Sequence, residues 1–338
     1  MKADQTAFAA ERAAHEASKK ALADTKKGLA AERAQHEATK KALAYLWLRI
    51  ESLLSSSSWR ITRPMRNAAN YLRSFRKSPL MSSRPLEATP VAQFPTRIPQ
   101  FHIDPADKRG HALLRHGGNL NPSTLKIWRR LVAECAWTHI LDVGANYGEM
   151  LLGARMPKDA KIFAFEPNPL IAPYLEWNLS DGEISAEIVR SAVTDQVGTA
   201  RLLIDRNWSG QTCLSVVQIG ARELITVPTT TISAVLGDAA NASKMRVLIK
   251  IDVEGSEARA LASLMELLDS FEDFAALVEV LHVPPTDRNW ILDEFEVELL
   301  DRSSGGLVRL APATPGAFLA ALKSGRFYRQ DVVLRRKR

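Results

Sequence analysis

From residue 123 to residue 281, short apolar runs alternate with stretches of helical periodicity, and that alternation leaves few folds open. Ser123 to Cys135 reads as helix, His139 to Val143 and Lys161 to Phe165 as strands, Leu170 to Leu179 as helix, and Glu187 to Val193 as strand. Strands separated by helices pair in parallel and carry helices on both faces, so the spacing predicts an α/β fold with its ligand site at the carboxyl ends of the strands. The string HILDVGANYG, residues 139–148, is a strand entering a glycine-containing turn, where missing side chains let a ligand approach the backbone.

The turn itself separates two classes of cofactor. A dinucleotide site uses G-x-G-x-x-G, so that pyrophosphate rests on a helix N-terminus. Here Ala145 and Asn146 follow Gly144, Gly148 comes next, and Asp142 stands just before the turn. A carboxylate at that point repels phosphate and suits a cationic or amine-bearing ligand. Glu166, in the string FAFEPNP at the end of the second strand, is where an acid accepts both hydroxyls of a ribose, which either class would use. The plainer alternative, in which Asp142 caps a helix and Glu166 is a turn residue, stays open at this level.

RVLIKIDVEGSE, residues 246–257, is a buried strand that delivers Asp252, Glu254 and Glu257 into its C-terminal turn, a costly placement unless the acids meet ligands or cap the next helix. The run Phe274 to Leu281 brings Glu279 and His282 toward the same cleft. These acids and the histidine are a conceivable set for a divalent cation. Glu257, however, is more simply a first-turn residue favoured by the helix dipole, and no metal site is assigned.

The strings DVGANYG, FAFEPNP, VPTTTIS, LIKIDVEGSEARAL and LVEVLH, in this order and spacing, resemble the FkbM family of S-adenosylmethionine-dependent methyltransferases. The resemblance covers roughly residues 110 to 335, and KIDVEGSE is its most specific part. It implies a class I methyltransferase fold, Rossmann-like, with a seven-stranded sheet ending in an antiparallel hairpin. Gly306 to Leu310 and Phe327 to Leu334 are the candidate strands for that hairpin. It also implies O-methylation of hydroxyls on sugars, polyketides and related products, with S-adenosyl-L-methionine as cofactor. Carried over by position, Asp142, Gly144, Ala145 and Asn146 would line the methionine part, Glu166 the ribose, and Asn168 and Ser191 the adenosine side. Asp252 would lie near the transferring methyl. A sugar hydroxyl is a weak nucleophile at neutral pH, so His282 is the candidate base, oriented by Glu279 or Glu254. Trp208, in the loop Asn207 to Thr212, either stacks on a sugar face or packs on the core.

The rest of the chain sets the context. Ala9 to Ala23 and Ala30 to Ala44 are near copies displaced by three heptads, which predicts a long helix over residues 1–55. Its row Phe8, His15, Leu22, Leu29, His36, Leu43 and Ile50 is thin, so both a solvated spacer and a coiled coil that makes a homo-oligomer stay open. Residues 56–77 form a basic amphipathic segment suited to an anionic membrane surface or a partner. Within it SSSWRITRPMR resembles the S-x-SWR-x-T-x-PLR element of bacterial glycosyltransferases and other surface-polysaccharide enzymes, with Met65 where leucine is usual. That suggests a glycan acceptor, or its precursor, and a glycosyltransferase or membrane-bound partner. Residues 78–100 are a proline-marked linker, and residues 101–338 the catalytic domain.

Net charge is +7, but six basic residues between Trp59 and Lys77 and four in the tail 335–338 exceed it by three, so the remainder is slightly acidic. That is a poor match to a nucleic-acid groove. Two cysteines, Cys135 and Cys213, and the lack of a leader-like or spanning apolar stretch point to a cytoplasmic protein, peripheral to the membrane at most. Two other roles compete: an adaptor whose domain has lost turnover, and a methyltransferase acting on nitrogen or carbon of a small molecule.

Overall fold

The structure, a computed structural model, describes residues 101–214, 222–237 and 239–337. The expected N-terminal helix, basic segment and linker lie outside the described residues.

The elements run α1 (Lys108–Arg115), α2 (Pro122–Glu134), β1 (His139–Val143), α3 (Glu149–Leu152), β2 (Lys161–Phe165), α4 (Ala172–Asp181), β3 (Glu187–Val189), β4 (Ala192–Val193), β5 (Gly198–Ile204), β6 (Cys213–Leu214), β7 (Glu223–Thr230), α5 (Ile232–Leu236), α6 (Ala239–Ala242), β8 (Arg246–Ile251), α7 (Glu257–Ala262), α8 (Met265–Leu268), β9 (Asp273–Glu279), α9 (Pro285–Glu294), β10 (Phe295–Leu300), β11 (Leu307–Arg309), α10 (Pro315–Lys323) and β12 (Asp331–Arg336). Local chemistry marks several boundaries. Asp107 accepts the Arg109 and Gly110 N–H groups at the start of α1, and Thr314 caps α10 ahead of Pro315.

Eight strands form one sheet in the order β11-β10-β12-β9-β8-β1-β2-β3. The pairs β1–β2, β2–β3, β1–β8 and β8–β9 are parallel, and β12 is antiparallel to both β9 and β10. The chain builds outward from β1 through β2 to β3 and then restarts on the other side with β8. The direction of winding therefore reverses between β1 and β8, and a crevice opens at their carboxyl ends. Val247 to Ile251 are buried at every position, as a central parallel strand covered on both faces requires. Leu141, Phe163, Phe165, Ile249 and Val278 pack with Ile232, Leu261, Ile291 and Phe318 on one face. Ile140, Ala164, Leu248 and Leu277 pack with Leu113, Trp128, Leu131 and Leu175 on the other.

Two expectations are corrected. The strand over Glu187 to Val193 is two: β3 edges the large sheet, whereas β4 pairs with β7 in a second sheet ordered β4-β7-β5-β6. The turn at Arg190 and Ser191 makes the change of sheet, with the Ser191 N–H on the Val189 carbonyl at 2.9 Å. The expected hairpin also has different partners. Gly306 to Leu310 and Phe327 to Leu334 do not pair, because Phe295–Leu300 lies between them, antiparallel to both β11 and β12, and the sheet has eight strands rather than seven. Phe295, Val297 and Leu299 bury one side of β10, while Glu296 and Glu298 reach Arg309 and Arg335.

The basic tail is largely consumed by this arrangement. Arg335 binds Glu134 at 2.8 Å, Arg336 donates to the Leu268, Asp269 and Phe271 carbonyls, and Lys337 donates to the Asp293 carbonyl.

Candidate functional site

β1 ends at the crevice in a turn that only glycine can make. Gly144 has φ +81°, and a Cβ there would sit 2.1 Å from the Asp252 carbonyl oxygen. The Gly144 and Ala145 N–H groups donate to the Phe165 carbonyl, and the Asp252 N–H donates to that of Val143, so the ends of β1, β2 and β8 are tied into one rim.

Asp142 is fully buried. It faces Lys250, its register partner on β8, with 3.4 Å between carboxylate and ammonium. Neither Asp142 oxygen has a hydrogen-bond partner, and burial first of all pushes its carboxyl up to about 6, against the pull of Lys250. Lys250 donates to the Gly144 carbonyl at 3.0 Å and stands 3.6 Å from Asp252, and these acids, outweighing the cost of burial, keep it charged.

Glu166 joins the turn to β2. One oxygen accepts the Asn146 N–H and the other the Asn168 N–H, each at 2.9 Å. Burial pushes this carboxyl up to about 7 despite both bonds. The Asn168 side chain folds back on its own loop, accepting the Leu170 N–H at 3.0 Å. Ser191 stays half-buried in the turn where the chain changes sheets.

At the end of β9 the expected trio converges. His282 Nδ1 is 3.0 Å from Glu254 and 3.5 Å from Glu279. The imidazole is 52% exposed, whereas Glu279 is buried. Hydrogen bonding to Glu254, then to Glu279, pushes the imidazole up to about 10, so at neutral pH it is an imidazolium. Glu254 is held with φ +55°, and Glu257 supports it from behind by accepting the Val253 and Gly255 N–H groups at 3.2 and 3.0 Å. Glu257 thus braces the loop that carries Glu254.

Several residues of the site carry no sequence string of their own. Asp107 accepts the Tyr147 hydroxyl at 2.8 Å and the Ser209 N–H at 3.1 Å, which lays the start of α1 and the Trp208 loop over the turn. Arg109 donates to Asn146 Oδ1 at 2.7 Å and pairs with Glu149, whose other oxygen is buried without a partner. Of these and Lys250, the lysine alone has a sequence signal that could have found it, a charge inside an otherwise apolar strand. Trp208 is 38% exposed. Among the described residues, no three of His, Cys, Asp and Glu are grouped to hold a metal ion, and no helix is long and apolar enough to cross a membrane.

Beside this turn three carboxylate oxygens, both of Asp142 and one of Glu149, are buried without a hydrogen bond, an excess of acceptors that suits a cationic, amine-bearing ligand. Residues 142–303 match the family model described as the methyltransferase FkbM domain. No curated protein matches the chain. Among solved structures, the precorrin-6y C5,15-methyltransferase of Geobacter metallireducens is similar at 10% identity over 71% of this chain and 100% of its own, with a TM-score of 0.35. An O-methyltransferase of Bacillus cereus is similar at 11% identity over 65% and 83%, with a TM-score of 0.32. A geranyl diphosphate methyltransferase is similar at 11% identity over 70% and 92%, with a TM-score of 0.35. The matched region is a methyltransferase domain, and its cofactor is S-adenosylmethionine.

Proposed function

We propose that this methyltransferase domain methylates a hydroxyl, on a sugar of a cell-surface polysaccharide or of its precursor. The observation that carries the hydroxyl reading is the half-exposed His282 bracketed by Glu254 and Glu279, at the end of β9, with β8 alone between it and the strand that leads into the cofactor turn. The glycan reading is supported by the Ser56–Arg66 element, outside the described residues.

When bound, the cofactor supplies a methyl group on a sulfonium, open to in-line displacement. Asp142 and Glu149 would hold the cationic amino end, Gly144 would admit it by leaving its place in the turn clear of a side chain, and Ala145 and Asn146 would line it. Glu166 would take the ribose hydroxyls with its remaining lone pairs, and Asn168 and Ser191 border the adenosine side. Asp252, one-third exposed and steadied by Lys250, lies between the cofactor turn and the acceptor side. His282 orients the acceptor hydroxyl and, in its neutral form, removes its proton. Because two carboxylates hold the imidazole protonated, this base works best in alkaline solution.

That same protonation favours one rival, an amine acceptor, which needs no base once its own nitrogen is neutral. Replacing His282 by alanine separates them, since an amine methyltransferase would keep its kcat. The cofactor part is tested by calorimetric titration of the full chain with S-adenosylmethionine and, separately, NAD, for wild type, Asp142→Ala and Glu166→Ala. Saturable binding of the first alone, lost in both variants, is expected; binding of NAD would overturn it. Around this chemistry, the first 55 residues would pair subunits and residues 56–77 would dock the enzyme at the inner membrane face beside a glycosyltransferase.

A further inference from the structure

The acids of the cofactor turn account for half of an amino acid. An α-amino-acid end carries an ammonium and a carboxylate on one carbon, and a site with acids alone would repel the second charge. The structure holds a cation in position for it. Arg109 lies on α1, upstream of the region that matches the methyltransferase family, and its side chain is only 14% exposed. It reaches the turn through Asn146 Oδ1 at 2.7 Å and through Glu149. Two donors are used in this way, out of the five that a guanidinium carries. Lys250, on β8, is already engaged by the Gly144 carbonyl, Asp142 and Asp252.

The surroundings fix Arg109 rather than leave it to find a surface partner. Asp107 anchors the first turn of α1 through Tyr147 and Ser209, and the Lys108 N–H donates to the Asn207 carbonyl at 2.9 Å. Gly110 allows the close approach behind it, since a Cβ there would lie 2.9 Å from that of Ile103. An ion pair serving only to hold α1 would satisfy its own carboxylate. Here Glu149 gives Arg109 one oxygen and keeps the other buried without a hydrogen bond, and Asp142, though beside Lys250, likewise accepts none.

We propose that Arg109 binds the carboxylate of the cofactor's amino-acid end, beside its partner Glu149, so that α1 completes a site for a zwitterion. The inference rests on the cofactor assignment above and adds a residue and an element to it. Charge-assisted, forked contacts of this kind discriminate strongly between a carboxylate and its absence.

The test is calorimetric titration of the full chain with S-adenosylmethionine and with its decarboxylated analogue, which keeps the ammonium and the sulfonium. Wild type should bind the complete cofactor about tenfold or more tightly than the analogue, the range of one charged hydrogen-bonded contact. Arg109→Met should lose that preference, because freeing Glu149 changes the hold on the ammonium of both ligands alike, whereas only the complete cofactor loses a partner for its carboxylate. Arg109→Lys retains the charge beside Glu149 and should keep part of the preference; it reads the same contrast if the methionine variant melts early. Equal losses for both ligands, or no loss, would overturn the role of Arg109 and leave the cofactor assignment standing. A wild type that binds neither ligand would sink the cofactor assignment, and this inference with it.

Discussion

Asp142 and Lys250 stand directly opposite each other in the β1–β8 register, 3.4 Å apart, both buried on the sheet face that also carries Trp128 and Tyr147. The lysine has three claims on it and the aspartate has none of its oxygens hydrogen-bonded, so the pair neutralises charge without consuming the aspartate's acceptors. Lys250→Met should therefore destabilise the fold by about 3 to 5 kcal/mol, since it strands buried carboxylates. Urea unfolding followed by circular dichroism measures it.

Asp142→Asn keeps the shape and removes the charge. Cofactor binding to wild type should weaken as pH falls through about 6, where the Asp142 carboxyl takes up its proton, and the variant should lose that part of the dependence while keeping the part Glu166 contributes near 7. Stability runs the other way. A carboxyl raised from its ordinary value of 3.8 to about 6 binds its proton more readily in the fold, so its contribution is fully present at low pH and is lost as pH rises from about 4 through 6. Calorimetric affinity and melting temperature across pH 5 to 8 should thus move in opposite directions, a range chosen to bracket that carboxyl.

His282 should govern the alkaline limb. With neutral imidazole as the base, kcat/KM for a hydroxyl acceptor should climb with pH toward about 10. Glu254→Gln removes the first carboxylate holding the proton and should bring the limb to lower pH, while His282→Ala should cost roughly 10² to 10⁴ in kcat. A limb unmoved in Glu254→Gln would show that the titrating group is not His282.

Gly144→Ala places a methyl 2.1 Å from the Asp252 carbonyl at φ +81°. The left-handed backbone alone costs on the order of 1 to 3 kcal/mol, and relief of the clash must part the ends of β1 and β8. Lowered melting temperature together with lost cofactor binding is the expected pair of results.

Much of this centre could be read before any coordinates. The strands β1, β2, β8 and β9 announce themselves because each is a short apolar run with a turn and an acid at its carboxyl end, and parallel pairing then brings those acids to one rim. Asp142, Glu166, Glu254, Glu279 and His282 lie there for that reason. What escaped reading depends on contacts across long separations. Arg109 is unremarkable in sequence and becomes part of the site only because Asp107 bonds to Tyr147 and Ser209, far along the chain. β10 escaped because Glu296 and Glu298 interrupt its apolar residues, and their partners Arg309 and Arg335 come later. The split of β3 from β4 is a change of sheet within a run of uniform β character, which periodicity does not register. His282 was legible as a histidine but not as an imidazolium, since that depends on two carboxylates closing on one nitrogen.

The place of β12 has a consequence for how the protein is made. β9 closes at Glu279 and β10 at Leu300, yet the slot between them is filled only by Asp331–Arg336. During synthesis, two apolar strand edges in the middle of the sheet therefore wait, unpaired, for a segment still inside the ribosome. An open edge of that kind templates association with other chains. A ribosome stalled between β10 and β12 would thus present an adhesive nascent chain, and the last strand acts as the closing stitch that makes the sheet safe to release.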